Sequence, residues 1–454
     1  MGYRAYPEYK ESGVEWLGKC PAHWDVIAIK QHTPVRRGAS PRPIQDPKYF
    51  DDEGEYSWVR IADVTANNHY LEETTQRLSA LGKSLSVPLE PGSLFLSIAG
   101  SVGKPMITNI KCCIHDGFVY FPYYQHDTEF MYYIFECGQA FLGLGKLGTQ
   151  LNLNTDTVGS IKIGLPPIEE QQKIASFLDC KTAQIDHLIE KKQELIEKLQ
   201  EQRIAITTQA ITKGLDSNAA MKDSGIEWLG SVPEHWDVHQ LSLLTETIQT
   251  GPFGSQLHAA DYVEGGVPLI NPAHLVSGDI IPDEQSAVDA QTVGRLNRHK
   301  LKPADIIMAR RGEIGRCAFV EEEQAGWLCG TGSLIIRFAK GNSRFFSIVI
   351  SSGGFSKNLE LYAVGSTMLN LNPTIVGRMP VPVPPRAEQD QIVSYIYSAT
   401  KKIDRSITKA RETIERLQEY RAALITAAVT GQIDVRDWQA PKSTKESAAN
   451  KEVA

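Results

Sequence analysis

A duplication constrains this chain more than any other feature. The segment LNLN at Leu151–Asn154 recurs at Leu369–Asn372, an offset of 218 positions, and the residues that follow align without a gap. Pro166-Pro167 meets Pro384-Pro385, Glu170-Gln171 meets Glu388-Gln389, Ile174 meets Ile392, and Ile185-Asp186 meets Ile403-Asp404. Leu199 meets Leu417 and Arg203 meets Arg421. Two copies of one unit must adopt related structures, so the repeat bounds the architecture before any element is placed.

The repeated stretch reads as a long helix. From Glu169 to Lys213 the chain has no Pro and is rich in Glu, Lys, Gln and Arg. Ile174, Leu178, Ile185, Leu188, Leu195, Leu199 and Ile206 fall at steps of three, four or seven, the period of a helix that buries one stripe. At 1.5 Å per residue it spans about 65 Å. So narrow a stripe on so long a helix needs a partner helix, and residues 384–432 supply one. Antiparallel packing buries both stripes most simply. It would place the remaining domains at opposite ends of a rod with approximate twofold symmetry.

A second block opens each half. Glu11–Val26 (ESGVEWLGKCPAHWDV) returns as Asp223–Val238 (DSGIEWLGSVPEHWDV). Trp16, Pro21, His23 and Trp24 coincide with Trp228, Pro233, His235 and Trp236. The tryptophans anchor a turn and the start of a strand against an apolar surface. The histidines have no ligand partners at metal-binding spacing and read as structural or hydrogen-bonding groups. Between block and helix lie two divergent globular regions whose elements run in the same order. Strands are predicted at Tyr56–Val64 and Val267–Leu275. Apolar strand, glycine turn and strand follow at Leu89–Ile107 and Leu301–Val320, with further strands at Val119–Phe121 and Leu334–Phe338. Helices are predicted at Asp127–Phe141 and Ser343–Ser352. The expected fold class is α+β, with two globular domains of mixed, twisted sheets separated by two long antiparallel helices in a coiled-coil spacer. The boundaries are an N-terminal Trp block at 1–26, a first domain at 27–165 and a first helix at 166–213. A linker with the second block (214–238), a second domain (239–383), a second helix (384–432) and a polar, disordered tail (433–454) complete the chain.

Composition removes several classes of function. The 454 residues are 42% hydrophobic and 22% charged, ordinary for a water-soluble chain with cores to fill. No apolar run approaches the length of a membrane span, and the N-terminus lacks the apolar core of a signal peptide. Seven cysteines, none in a C-x-x-C pair, argue against a zinc ribbon or a disulfide scaffold and fit a reduced, cytoplasmic setting. A formal net charge of −7 means that any nucleic-acid site must be local or shared with a partner.

The pattern EWLG-x-x-P-x-HW, LNLN followed by PP-x-x-EQ, and the long helix, each present twice, resembles the specificity subunit of type I restriction–modification systems. GPFGSQL at Gly251–Leu257 resembles the opening of target-recognition domains in that family. The likeness covers roughly residues 8 to 437. It implies that each globular domain reads one half of a split site on double-stranded DNA. The helices would set the gap between half-sites and dock two modification subunits. It also implies that this chain has no catalytic residues and holds no cofactor or metal. AdoMet would sit on the modification subunits, which methylate adenine at N6, and ATP and magnesium on the restriction subunits of the full complex. Half-sites on one DNA face lie about 34 Å apart, a distance such a rod could bridge.

The candidate DNA-binding residues are local clusters of cations and turns. In the first domain they are Arg36, Arg37, Arg42, Arg60 and Lys104. In the second, Arg298 and Lys300 lie near Arg295, His299 and Lys302, and are followed by Arg310, Arg311 and Arg316. Such groups contact phosphates, and an arginine can fork onto guanine. Ordinary solvated surface charge is the competing reading. The turns Gly100–Lys104 (GSVGK) and Gly312–Arg316 (GEIGR) occupy equivalent places. Gly100, Gly103, Gly312 and Gly315 would let backbone approach a phosphate beside a cation, or would simply close β-hairpins. Asn152 and Asn370, within the segments Thr149–Asn154 and Thr367–Asn372, could bond base edges or cap the following chain. Enzyme readings fail on context. Gly143, Gly145 and Gly148 spell G-x-G-x-x-G but follow a predicted helix, not a strand. A phosphate-binding loop and the Asn/Asp-Pro-Pro-aromatic motif of adenine methyltransferases are both absent. The alternatives are a coiled-coil adaptor without DNA contact and, second to it because the motifs are missing, a DNA methyltransferase.

Overall fold

The computed structural model describes residues 3–144, 153–312, 315–363 and 371–440. They form two compact units, residues 1–193 with 411–454, and residues 194–410. Each unit therefore holds a stretch of both long helices.

In the first unit, one sheet has the strand order Arg36–Arg37, Phe118–Tyr120, Leu94–Ser97, Pro105–Thr108, Tyr70–Leu71, and only the last pair is parallel. A second has the order Gln76–Leu78, Tyr56–Val59, Cys112–Ile114, Val87–Leu89, with its central pair parallel. The second unit repeats this plan. Strands Thr245–Thr250, Ser333–Phe338, Ile306–Ala309 and Cys317–Phe319 form an antiparallel sheet. Ala287–Val288, Tyr262–Ile270 and Leu328–Cys329 form a mixed one. The α+β expectation with mixed sheets holds in both.

Two sequence-predicted strands end earlier than expected. Tyr56–Val59 ends before Arg60, where the helix Ile61–Ala66 begins, because the Asp63 carboxylate accepts the Arg60 backbone N–H at 2.8 Å and caps that turn. Tyr262–Ile270 ends before the 3-10 turn Pro272–His274, since Pro272 has no N–H to give the ladder.

The long helices run Ile168–Lys213 and Arg386–Val429. In the first unit Ile174, Phe177, Leu178 and Ile185 share a core with Leu424, Ile425, Ala428 and Val429. In the second, Ala210 and Ile211 share a core with Ile392 and Ile396. The beginning of one helix thus meets the end of the other in each unit, which is antiparallel packing. Equivalent ion pairs mark it: Arg421 to Asp186 at 3.1 Å in the first unit and Arg203 to Asp404 at 3.2 Å in the second. The stripe differs from the sequence expectation at two positions. Leu188 and Leu195 are exposed, whereas Ile189, Ile196 and Leu199 are partly covered. The buried line runs through Ile185, Ile189, Ile196 and Leu199 with its own seven-residue repeat, and Leu188 and Leu195 each lie one position to the side of it, where a step of three from Ile185 lands on the opposite flank from a step of four.

The two repeated motif sets meet in space. Glu170 accepts from the Trp24 indole at 2.9 Å and the Tyr6 hydroxyl at 2.6 Å, and lies 2.8 Å from His23 Nε2. Glu388 accepts from the Trp236 indole at 3.0 Å and lies 2.8 Å from His235 Nε2. The neighbouring glutamines behave alike. Gln171 donates to the Pro166 carbonyl and accepts from the Asp127 N–H, and Gln389 does the same with Pro384 and Asn342. Each long helix is in this way fastened at its start to the Trp block and to a domain helix, Thr128–Glu136 or Ser343–Ile350. The histidines are hydrogen-bonding groups, as their sequence context suggests.

Candidate nucleic-acid interface

In the first unit two of the predicted cations, Arg37 and Arg42, meet at one connection between strands. Arg36 and Arg37 sit exposed on the edge strand beside Tyr120 and Val119. Asp116, in the connection from Cys112–Ile114 to Phe118–Tyr120, collects their neighbours. Its carboxylate takes the Ser40 hydroxyl at 2.7 Å and the Arg42 guanidinium at 3.1 Å, and Arg37 donates to its carbonyl. The Ser40 hydrogen bond, aided by Arg37 and Arg42, holds the Asp116 carboxyl below its ordinary value, so it remains an anion that orients the arginines. Gly117 accepts the Ile98 N–H at 2.9 Å, and the turn Gly100–Lys104 follows immediately. Gly100 and Gly103 have positive φ, and a side chain at Gly100 would press into Ile61. The turn therefore lies against the helix that Arg60 opens. Hydrogen bonds thus connect Arg37 and Arg42 through Asp116 and Gly117 to the strand before the glycine turn, and the turn packs on Ile61, next to Arg60.

Two of these cations have local employment. Arg60 pairs with Asp63 at 3.4 Å and donates to Thr75. Lys104 Nζ donates to the Asn67 carbonyl at 2.7 Å, and burial lowers its pKa. The most accessible of the predicted cations in this domain are Arg36, Arg37 and Arg42.

The second unit repeats the geometry with different residues. The connection Gly330 to Gly332 stands where His115 to Gly117 stands in the first. Arg310 N–H donates to the Gly332 carbonyl and Arg316 Nη1 to the Pro272 carbonyl, the latter at 3.4 Å. Gly312 and Gly315 have positive φ, matching Gly100 and Gly103. Arg311 is exposed, while burial and Arg311 push the Arg310 guanidinium down from its usual value. Arg298 is exposed beside Lys300, and its carbonyl is held by the Gln249 side chain at 3.1 Å. The His299 ring lies 3.0 Å from Gln249 Nε2 and 3.1 Å from Arg298 Nε. Burial, then Arg298, pushes its pKa down to about 4, so the ring is neutral near pH 7.

Asn152 and Asn370 lie outside the described residues, as does most of the G-x-G-x-x-G segment. The last asparagine of each LNLN is described, and it caps. Asn154 accepts from the Asp156 and Thr157 N–H groups, and Asn372 from that of Ile375. Asp116, Ser40 and Gln249 escaped sequence reasoning, because nothing local marks a residue that orients a distant arginine.

A family model described as "Type I restriction modification DNA specificity domain" matches residues 21–198 and again 233–416. The type I restriction enzyme MjaVIII specificity subunit of Methanocaldococcus jannaschii is 22% identical over 94% of this chain and 98% of its own length. The EcoBI specificity subunit of Escherichia coli is 22% identical over 67% of this chain and 65% of its own. Two solved structures share the fold. A chain from work on complex assembly and conformational transition of the type I R-M system has a TM-score of 0.70 at 14% identity, covering 91% of this chain and 99% of that one. The HsdS subunit from Thermoanaerobacter tengcongensis has a TM-score of 0.51 at 15% identity, covering 91% and 98%. With two copies of the domain on two variants of one geometry, the chain belongs to the type I restriction–modification specificity family, as a non-catalytic subunit that defines a DNA target through two recognition domains.

Proposed function

We propose that each unit reads one half of a two-part, asymmetric site on double-stranded DNA. The carrying observation is that the two units keep one frame, down to the Glu170 and Glu388 latches, while the residues at the equivalent basic ends differ. Assembly needs the frame to stay constant, and base choice needs the end to vary. Arg36, Arg37 and Arg42 in the first domain, and Arg298, Lys300 and Arg311 in the second, contribute phosphate or base contacts. Arg60 and Lys104 act by shaping the turns, and the Gly100–Gly103 and Gly312–Gly315 turns bring backbone close to the DNA.

The long helices set the interval between half-sites and dock two modification subunits, which carry AdoMet and methylate adenine at N6. Restriction subunits, using ATP and magnesium, join the complete complex. Its working place is the cytoplasm. No helix among the described residues is long and apolar enough to cross a membrane. The proposed domain limits are 27–165 and 239–383. With a net charge of −7, the chain alone binds DNA weakly, and its partners supply additional positive surface.

The test is a map of N6-methyladenine in DNA from cells expressing this chain with its modification subunits. A split motif with a fixed gap is expected. Exchanging residues 27–163 for the corresponding domain of another specificity subunit should rewrite one half of that motif. An assembled, AdoMet-binding complex that leaves DNA unmodified would favour the adaptor reading.

A further inference from the structure

One group of side chains in the first unit belongs neither to the repeated frame nor to the cations above. His69, Glu129 and Asp179 converge from three elements. His69 precedes the strand Tyr70–Leu71, Glu129 lies in the first turn of the helix Thr128–Glu136, and Asp179 lies on the long helix Ile168–Lys213. One ligand atom from each, an imidazole nitrogen and two carboxylate oxygens, all lie within 4.8 Å of one another. All three residues are half-buried.

Aromatic neighbours orient each of the three. The His69 ring stacks on Tyr70, with centroids 4.3 Å apart, and on Tyr132, at 3.7 Å. Its Nε2 lies 2.7 Å from Glu129 Oε2. The Tyr70 hydroxyl donates to Glu129 Oε1 at 2.8 Å, and the Tyr133 hydroxyl to Asp179 Oδ1 at 2.7 Å. Metal sites are built in this way, with outer groups fixing the rotamers of the ligands. Charge points the same way. Among the described residues neither carboxylate pairs with a Lys or Arg, and the one basic partner, His69, serves Glu129. Burial raises the Asp179 pKa, and Glu129 and Asp127 add to that rise against the Tyr133 hydrogen bond. With the imidazole as a neutral ligand, two carboxylates carry the charge that one dication cancels.

The second unit does without this cluster. Asp127 and Asn342 both give their N–H to the paired glutamines, Gln171 and Gln389, so the two domain helices start in register. Glu129 then corresponds to Arg344, which pairs with Glu321 at 2.7 Å. Asp179 corresponds to Tyr397 across the 218-residue offset. The frame holds a domain on its helix without these three residues, so fastening the domain does not account for their convergence. An imidazole nitrogen with carboxylate oxygens suits zinc and its first-row neighbours, whereas magnesium and calcium take oxygen ligands. A tetrahedral zinc about 2.1 Å from each ligand sets the ligand atoms about 3.4 Å apart, and short rotations of the two carboxylates cover the difference.

We propose that His69, Glu129 and Asp179 bind one zinc-type dication, with water in the remaining position. The ion ties the sheet edge and the domain helix of the first recognition domain to the long helix. The site is independent of which bases that domain reads. Its residues lie outside the repeated motifs that mark the family, so membership of the family does not supply it.

The test uses the full chain assembled with its modification subunits, stripped with EDTA, dialysed and titrated with zinc chloride. Bound zinc is counted by elemental mass spectrometry. The wild-type complex should hold one more zinc per specificity chain than D179N or H69Q, and each substitution should weaken binding at that site at least about 10-fold. Zinc should raise the urea midpoint of the wild type, and excess magnesium should not replace it. Cobalt(II) should give visible absorption bands that both variants lack. If either variant assembles and keeps the wild-type zinc content, the ion lies elsewhere and the proposal is overturned. It is equally overturned if the wild type takes up no zinc at this stoichiometry, even where the variants are less stable, since the cluster is then a protonated His69 between two carboxylates. Should the variants fail to fold, modification of wild-type His69 by diethyl pyrocarbonate, mapped by peptide mass, decides. Protection by zinc is expected, and unaltered reactivity sinks the site.

Discussion

At the scale of single residues, the repeated polar groups are structural fasteners, and the non-repeated ones carry the differences. Glu170 is 6% exposed and serves Trp24, Tyr6 and His23 together. Burial and this carboxylate both push the Tyr6 hydroxyl's pKa up, so it stays a donor. Glu170→Ala should therefore orphan three groups and destabilise the first unit by roughly 2–4 kcal/mol, read as a lowered urea midpoint. Glu388→Ala, with two partners at a more open site, should cost less. His299 gives a pH dependence. Its folded pKa, about 4, lies below the ordinary 6.5, so the unfolded chain takes up the proton first as pH falls. Its contribution is complete above about pH 6.5 and is lost as the pH drops towards 4. Unfolding of the wild type at pH 7 and pH 5 should differ by roughly 1–3 kcal/mol more than that of His299→Gln. An identical pH dependence in the two would remove the claim. The hydrogen-bonding role of His23 and His235 was legible from their lack of ligand partners, but the Glu that each meets lies about 150 positions away and has no local signature.

At the scale of elements, the helices were legible nearly to the residue because their pattern persists for many turns and Pro-Pro marks each start. The partition of the apolar stripe was not. Leu178 is wholly buried, whereas Leu195 is 41% exposed, yet both satisfy the same spacing. Leu178→Ala should cost about 2–5 kcal/mol, and Leu195→Ala under about 1 kcal/mol, in chemical denaturation of the full chain. Equal losses would show that the helix is packed differently in solution. Two strand ends were read too late, at Val64 and Leu275. Apolar runs of a few residues do not distinguish a strand from the turn that caps it, and the Asp63 cap and Pro272 decided those ends.

At the scale of the whole molecule, the antiparallel helices make a physical prediction about the target. A matched insertion of seven residues in both, for example within the exposed middle of each, preserves the buried line and lengthens the pair by about 10 Å. That is roughly three base pairs at 3.4 Å each. The methylated motif should keep both half-sites and gain an interval of about that size. An unaltered interval would show that the helices are not the ruler. The duplication, the two long helices, the α+β class of each domain and the membership of the family were all determined by the sequence itself, because periodicity, Pro-Pro starts and an exact repeat offset are properties of order along the chain. Which cations share an interface was decided only in three dimensions. Arg42 acquires its orientation from Asp116, and Lys104 spends its charge on the Asn67 carbonyl. Each of these depends on residues far apart in sequence brought together by strand pairing, and strand pairing is a long-range contact that no local pattern encodes.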